Sequence, residues 1–175
     1  METAALLLRG FICDQIGSMA KYIAELALER VAQAPYIKPL LEVLKRIAQE
    51  MDKDEELQRM IETDNVFTAE VFVRFAREIF SDGINWGRVA VLFCLASKLV
   101  LKALCTDMRE LITTIMDWTL DFIRKRLLPW IQEQGGWGGL LSQHSDKIKW
   151  LAVAVAVAII GTAALAVFRV RTISG

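Results

Sequence analysis

Nineteen consecutive residues, Trp150 to Phe168, carry no charge. Coiled as an α-helix, that run spans about 28 Å, close to the roughly 30 Å hydrocarbon core of a bilayer. Lys147 and Lys149 flank it on one side, Arg169 and Arg171 on the other. Trp150 stands where an interfacial ring is favoured. The stretch AVAVAVA within the run has the period of a strand. A lone strand leaves its backbone groups unpaired in lipid, whereas a helix pairs them internally. The expected element is a C-terminal helix that spans a membrane, or that hides in an apolar groove of a soluble form. A buried core helix is the alternative. Ala154, Ala158, Thr162 and Ala166, with Gly161 alongside, give this helix a small-residue ridge on which another helix could pack. Few residues follow the run, so it is expected to leave the ribosome after synthesis ends, with the bulk of the protein in the cytosol.

The rest of the chain has to form its own core. Apolar residues make up 54% of the 175, above the roughly 45–50% of an average soluble domain. Lys plus Arg and Asp plus Glu number 21 each, a balance that argues against a phosphate-tracking nucleic-acid binder. Cys13, Cys94 and Cys105 show no CxxC spacing. Cys94 and Cys105 fall on one expected helix about 16 Å apart, too far to bridge. Reduced thiols in a reducing compartment are expected. The apolar run Ala4–Leu8 is too short for a signal peptide and is closed by Arg9.

Helical spacing dominates the first 145 residues, expected to form one domain, with 146–175 the anchor. Residues 4–19 carry Ala5, Leu8, Ile12, Ile16 and Met19 on one stripe. Residues 20–34 are ambiguous. Pro39 suits the first turn of a helix bearing Leu40, Leu44, Ile47 and Met51. A short helix is expected at 55–61, and another from about Thr68 to Phe80 with Val71, Phe75 and Ile79 on one face. Asp82-Gly83 signals a turn, and Asn85 can cap a helix from Trp86 to Cys105. Nearly every position of that helix from Val89 onward is apolar, so it is buried on all sides or placed in lipid. Thr106 can cap the next helix, with Met108, Leu111, Ile115, Trp118 and Phe122 inward and Arg124, Lys125 and Arg126 in its last turn. Pro129 can open a short helix, WIQEQ, ended by Gly135-Gly136. The class is all-α: about eight helices around an apolar central one, plus the tail.

No Walker loop, GxGxxG, HExxH or GxSxG is present. His144 is the single histidine. GGWGG at 135–139 lacks a following Lys-Ser/Thr and reads as a turn. No constellation supports catalysis, a metal or a cofactor, and the chain is not expected to be an enzyme.

Three segments resemble the homology motifs of the Bcl-2 family of apoptosis regulators, in its Bax-like, membrane-permeabilising branch. FSDGINWGRVAVLF at 80–93 resembles the first motif, WIQEQGGWGGLL at 130–141 the second, and LLEVLKRIAQEMD at 40–52 the third, the death motif. ALLLRGFICD at 5–14, ASKLVLKALC at 96–105 and ELITTIMDWTLDFIRKRLL at 110–128 are similar to that branch between the motifs. The resemblance runs through most of the chain in order, and NWGR at 85–88 followed by WIQ-x-x-GGW at 130–137 is its specific core. It implies a Bcl-2-like bundle whose tail docks in a groove or spans the membrane. Leu40, Leu44, Ile47, Ala48, Gln49 and Met51 then form the death-motif helix. Asn85, Gly87 and Arg88 form the groove rim, with Arg88 suited to hold an acidic residue of an incoming helix. Trp130, Gly135, Gly136 and Trp137 mark the second motif. The implied partners are other family members and their death-motif helices, further copies of the chain, and mitochondrial outer-membrane lipid. The implied location is cytoplasmic at rest and the mitochondrial outer membrane when active.

A pro-death effector is one implied function. A pro-survival module of the same fold, which captures death-motif helices and makes no pore, is the other. A tail-anchored adaptor without an apoptotic role fits the periodicity alone. The chain departs from the family pattern at Gln49, where an Asp is usual, and at Gly138, where an acidic residue is usual. Glutamine accepts from an arginine without charge assistance, a loss on the order of 1 kcal/mol. Weaker self-dimerisation or a changed partner preference follows. Gln49→Asp is expected to tighten binding to an arginine-bearing groove in a peptide titration, and unchanged affinity would contradict this.

Overall fold

A helix apolar on every side needs neighbours on every side, and the fold is arranged to supply them. The computed structural model describes residues 1–17, 34–51, 59 and 68–144. The chain divides into a compact unit, Met1–Leu140, and a second unit from Leu141 onward, of which 141–144 are described. The elements are α1 (Glu2–Ile16), α2 (Ile37–Met51), α3 (Ala69–Ile79), α4 (Trp86–Cys105), α5 (Glu110–Phe122), a π-helical turn (Ile123–Leu127), α6 (Leu128–Glu133) and α7 (Gly138–Gln143). All described elements are helical. Among the described residues no helix is long and apolar enough to cross a membrane. Most of the ambiguous segment 20–34, the short helix expected at 55–61 apart from the helical Arg59, and the anchor from Trp150 to Arg171 lie outside the described residues.

α4 has the bounds its pattern predicts. Asn85 caps it: Oδ1 accepts from the Arg88 amide at 2.8 Å. Val89, Leu92, Phe93, Leu95, Val100 and Ala103 are fully buried. Each large side chain of this kind contributes about 1.5–3 kcal/mol on burial. The hydroxyl of Ser97, also buried, donates to the Phe93 carbonyl at 2.9 Å, so it leaves no unpaired polar group. α1, α2, α3 and α5 all pack against α4. Phe11 of α1 meets Phe93 edge to face, with centroids 5.7 Å apart.

Several buried faces differ from the expected stripes. α1 ends at Ile16 with Gly17 as its C-cap (φ +58°), and Met19 lies outside the described residues. Its fully buried residues are Ala4, Leu7, Leu8, Phe11 and Ile12, a face broader than the expected one, and Ala5 is only half-buried. On α3 the buried residues are Phe72, Phe75 and Ala76, with Val71 and Ile79 half-buried. On α5 they are Ile112, Ile115, Thr119 and Phe122. Met108 is exposed, and Trp118 is half-buried beside Phe72 at 6.0 Å. The shift follows from packing on two or more neighbours at once. A single apolar stripe predicts one contact line, whereas α4 and the next helix round each take part of the face.

Thr106 does not cap α5. Its hydroxyl donates backward to the Lys102 carbonyl at 2.8 Å and so finishes α4. Asp107 then takes a left-handed conformation (φ +56°), which aspartate tolerates better than most residues. α5 consequently starts at Glu110, the acidic residue of its first turn. Nor does Pro129 interrupt the chain. Proline clashes with the carbonyl four residues back. The preceding turn widens to a π-helix, in which the Leu128 amide donates to Ile123, and the rod continues into α6. Arg124, Lys125 and Arg126 are exposed on this turn. Asp121 is 2.6 Å from Lys125 and 2.7 Å from Arg124, and those contacts hold its carboxyl below the usual range.

None of the three cysteines is in a disulfide: Cys94 is buried, Cys13 half-buried and Cys105 exposed. Burial pushes the Cys13 thiol up, which keeps it protonated at neutral pH.

One ion pair ties α2 to α1. Lys45 Nζ lies 2.9 Å from Asp14 and 3.1 Å from Glu42. The Asp14 contact is the main cause that raises the Lys45 pKa above 10.5. A lysine raised on folding stabilises fully below its unfolded pKa and loses that contribution as pH rises through the folded one. Lys45→Gln should therefore cost up to about 1 kcal/mol at neutral pH. Denaturant midpoints at neutral pH and at about pH 12 check the sign: the deficit should vanish at the higher pH. An equal deficit at both would mean that Lys45 stabilises through its alkyl stem.

Candidate helix-binding site

The death-motif helix α2 is core in this structure. Leu40, Leu44, Ile47 and Ala48 are buried. Ile37 and Val43 are buried too, and they fall outside the expected four-residue stripe. α2 rests on α1 and α4. Gln49 points the other way and is exposed. Met51 is the last residue of the helix. Leu40, Leu44, Ile47 and Ala48, which a partner's groove would need, are thus in use, while Gln49 and Glu50 face solvent.

The first motif supplies the turn before α4 and the first turn of α4. Arg88 is about a quarter exposed: Nη1 donates to the Gly83 carbonyl at 2.8 Å, and Nη2 lies 3.6 Å from Asp82 Oδ2. Gly87, in the first turn of α4, is half-buried. Sequence reasoning found Arg88 but missed Asp82 and Gly83 as its partners. The Asp-Gly turn signal five residues before the arginine was the available clue.

Trp86 joins the first motif to the second. Its indole is buried, 5.0 Å from Trp130 and 5.8 Å from Trp137 by ring centroids, and Trp137 reaches Phe93 at 6.3 Å. Trp86 Nε1 has no hydrogen-bond partner among the described residues. Leaving such a group unpaired costs about 1–3 kcal/mol, so the indole is held there by aromatic packing rather than by polar contact. Sequence reasoning named Trp130 and Trp137 but passed over Trp86, although all three stand inside the quoted motifs.

The glycines between the tryptophans set this geometry. Gly135 and Gly136 both have positive φ, +85° and +75°, where a side chain would be strained. The Gly136 amide closes the turn on the Ile131 carbonyl at 2.9 Å. GGWGG is not a turn throughout, since Gly138 and Gly139 already belong to α7. A Cβ on Gly139 would collide with the Gln134 carbonyl, whereas one on Gly138 meets nothing within 4 Å. The departure at Gly138 is therefore a loss of charge and not a steric requirement.

The structure brings the death-motif helix and the tryptophans of the second motif onto α4, the helix that carries Arg88. An open cavity of about 490 Å³ runs along α3, lined by Ala69, Glu70, Val73, Arg74, Arg77 and Glu78. The anchor residues Trp150, Ala154, Ala158, Gly161, Thr162, Ala166, Phe168, Arg169 and Arg171 lie outside the described residues.

Comparison with known proteins agrees with this geometry. The family profile "Apoptosis regulator proteins, Bcl-2 family" matches residues 44–137. Apoptosis regulator BAX of Bos taurus is 56% identical over 97% of this chain and 88% of its own length. The Homo sapiens protein of that name is 55% identical over the same shares. The crystal structure of chicken BOK superposes with a TM-score of 0.66 at 20% identity, covering 81% of this chain and 93% of that one. That likeness supports the fold alone. The chain belongs to the Bcl-2 family of apoptosis regulators, on its Bax-like, pro-apoptotic side.

Proposed function

We propose that the protein is an effector that oligomerises and permeabilises the mitochondrial outer membrane after activation by death-motif helices. The observation that carries this reading is the identity to relatives named Apoptosis regulator BAX over 97% of the chain, motifs and intervening segments alike. The fold supports it. α4 is mostly apolar and is kept from solvent largely by α1, α2, α3 and α5, with Trp130 and Trp137 against its first turns. Removing α2 from that shell would expose the α2 stripe and one side of α4 together. The protein then acts by binding and assembly, with no catalytic residue, metal or cofactor.

On this reading the resting protein is cytoplasmic, and the uncharged run from Trp150 to Phe168 anchors the active form in the outer membrane. Its partners are death-motif helices, further copies of itself and membrane lipid. Leu40, Leu44, Ile47, Ala48 and Met51 would enter a partner's groove, and Asn85, Gly87 and Arg88 would form the rim of its own. The pro-survival alternative uses the same rim without pore formation, and Gln49 is the residue that favours it.

Dye release from liposomes of mitochondrial-like lipid separates the two. The effector reading predicts release that depends on a death-motif peptide and grows with protein concentration. Tight peptide binding without release, combined with protection against a known effector, would place the protein in the pro-survival class.

A further inference from the structure

Arg88 is the residue proposed to receive a carboxylate from an incoming helix, and it is already engaged. Both of its contacts come from the turn that leads into its own helix. The Gly83 carbonyl accepts from Nη1 at 2.8 Å, and Asp82 Oδ2 stands 3.6 Å from Nη2. The backbone enforces this arrangement. Asn85 caps α4 on the Arg88 amide, which fixes the first helical turn. Gly83 takes φ +113°, a backbone conformation that other residues rarely adopt, and so turns its carbonyl onto Nη1. The Asp82 side chain is 85% exposed, while that of Arg88 is 27% exposed. Asp82 is thus a solvated carboxylate resting on a partly sheltered cation.

We propose that Asp82 is an internal competitor for Arg88, and that it holds down the affinity with which the protein captures an incoming helix. This rests on the groove reading above. An aspartate or glutamate of an incoming helix would replace one carboxylate with another at the guanidinium, so its charge-assisted bonds are kept. A neutral side chain would have to displace a carboxylate with a weaker acceptor. Gln49 of this protein's own death motif is such a side chain. Asp82 and Gln49 therefore act in one direction. Both disfavour capture of a second copy through this contact: Asp82 raises the cost of reaching Arg88 for any incoming side chain, and Gln49 brings no charge to offset it. An exposed pair at this distance is weak, so Asp82 lowers affinity a few-fold rather than blocking capture.

Fluorescence anisotropy on the full-length protein tests this with two labelled peptides spanning residues 37–51, one as in the chain and one carrying Gln49→Asp. The proteins are wild type, Asp82→Asn, Arg88→Gln and the double variant, each checked for helical content. Wild type should prefer the Asp-bearing peptide. Asp82→Asn should tighten both peptides by about twofold to fivefold. In the Arg88→Gln background the peptide preference and the Asp82→Asn gain should both disappear. If Arg88→Gln fails to fold, Arg88→Lys replaces it and should shrink both effects. An Asp82→Asn variant that binds equally or more weakly overturns the proposal, since Asp82 would then be idle or would hold a cation of the incoming helix. A gain that persists without Arg88 overturns it as well. If neither peptide binds any of the proteins, the groove reading fails and the proposal falls with it.

Discussion

Burial of most of α4 is the constraint on which the rest of this fold depends, with Leu101 and Cys105 its exposed residues. Beyond Arg88, Lys98 and Lys102, this 20-residue helix has little polar surface to offer water. Four helices are committed to covering it, and each presents a face broad enough to touch both α4 and a neighbour. The polar exceptions are resolved locally. Ser97 and, on α5, Thr119 are buried and donate back to carbonyls one turn earlier, at 2.9 and 2.8 Å, so neither adds an unpaired group to the core. Trp86 Nε1 stays unpaired, and a cluster of three tryptophans and Phe93 forms around it.

The same constraint gives α2 two incompatible uses. As core, its apolar stripe shields α4. As a ligand, the stripe would lie in a partner's groove. One set of side chains cannot do both at once, so exposure of the death motif and exposure of α4 are coupled by geometry. The Lys45–Asp14 contact adds a small electrostatic term on the α1 side of the same helix. Gln49 contributes nothing to the resting core, because it is exposed. Its identity is free to be set by partner choice alone.

Much of this was legible in the residues. The bounds of α4, the Asn85 cap and the burial of Leu40, Leu44 and Ile47 follow from apolar spacing and one capping side chain. What spacing could not give was the direction of each face to within one residue. Ile112 is buried and Met108 exposed because α5 packs on both α3 and α4, and a one-dimensional pattern records no second neighbour. Thr106 was misread because a threonine between two helices can close the first as well as open the second. The π-turn before Pro129 was invisible for a related reason: proline signals a lost hydrogen bond but not whether the chain breaks or widens. At the site, Arg88 and the tryptophan motif were readable as motif residues. Asp82 was not, because its role is set by a turn that brings it back onto Arg88.

The central claim is that α2 is structural at rest and must leave α4 for the protein to act. Hydrogen exchange of the backbone amides of residues 37–51, followed on liposomes alongside dye release, tests it most directly. The account predicts strong protection in solution, comparable to α4, and loss of that protection before or together with release. Release with α2 still as protected as in solution would contradict it, and the burial of the death motif would then have no part in control.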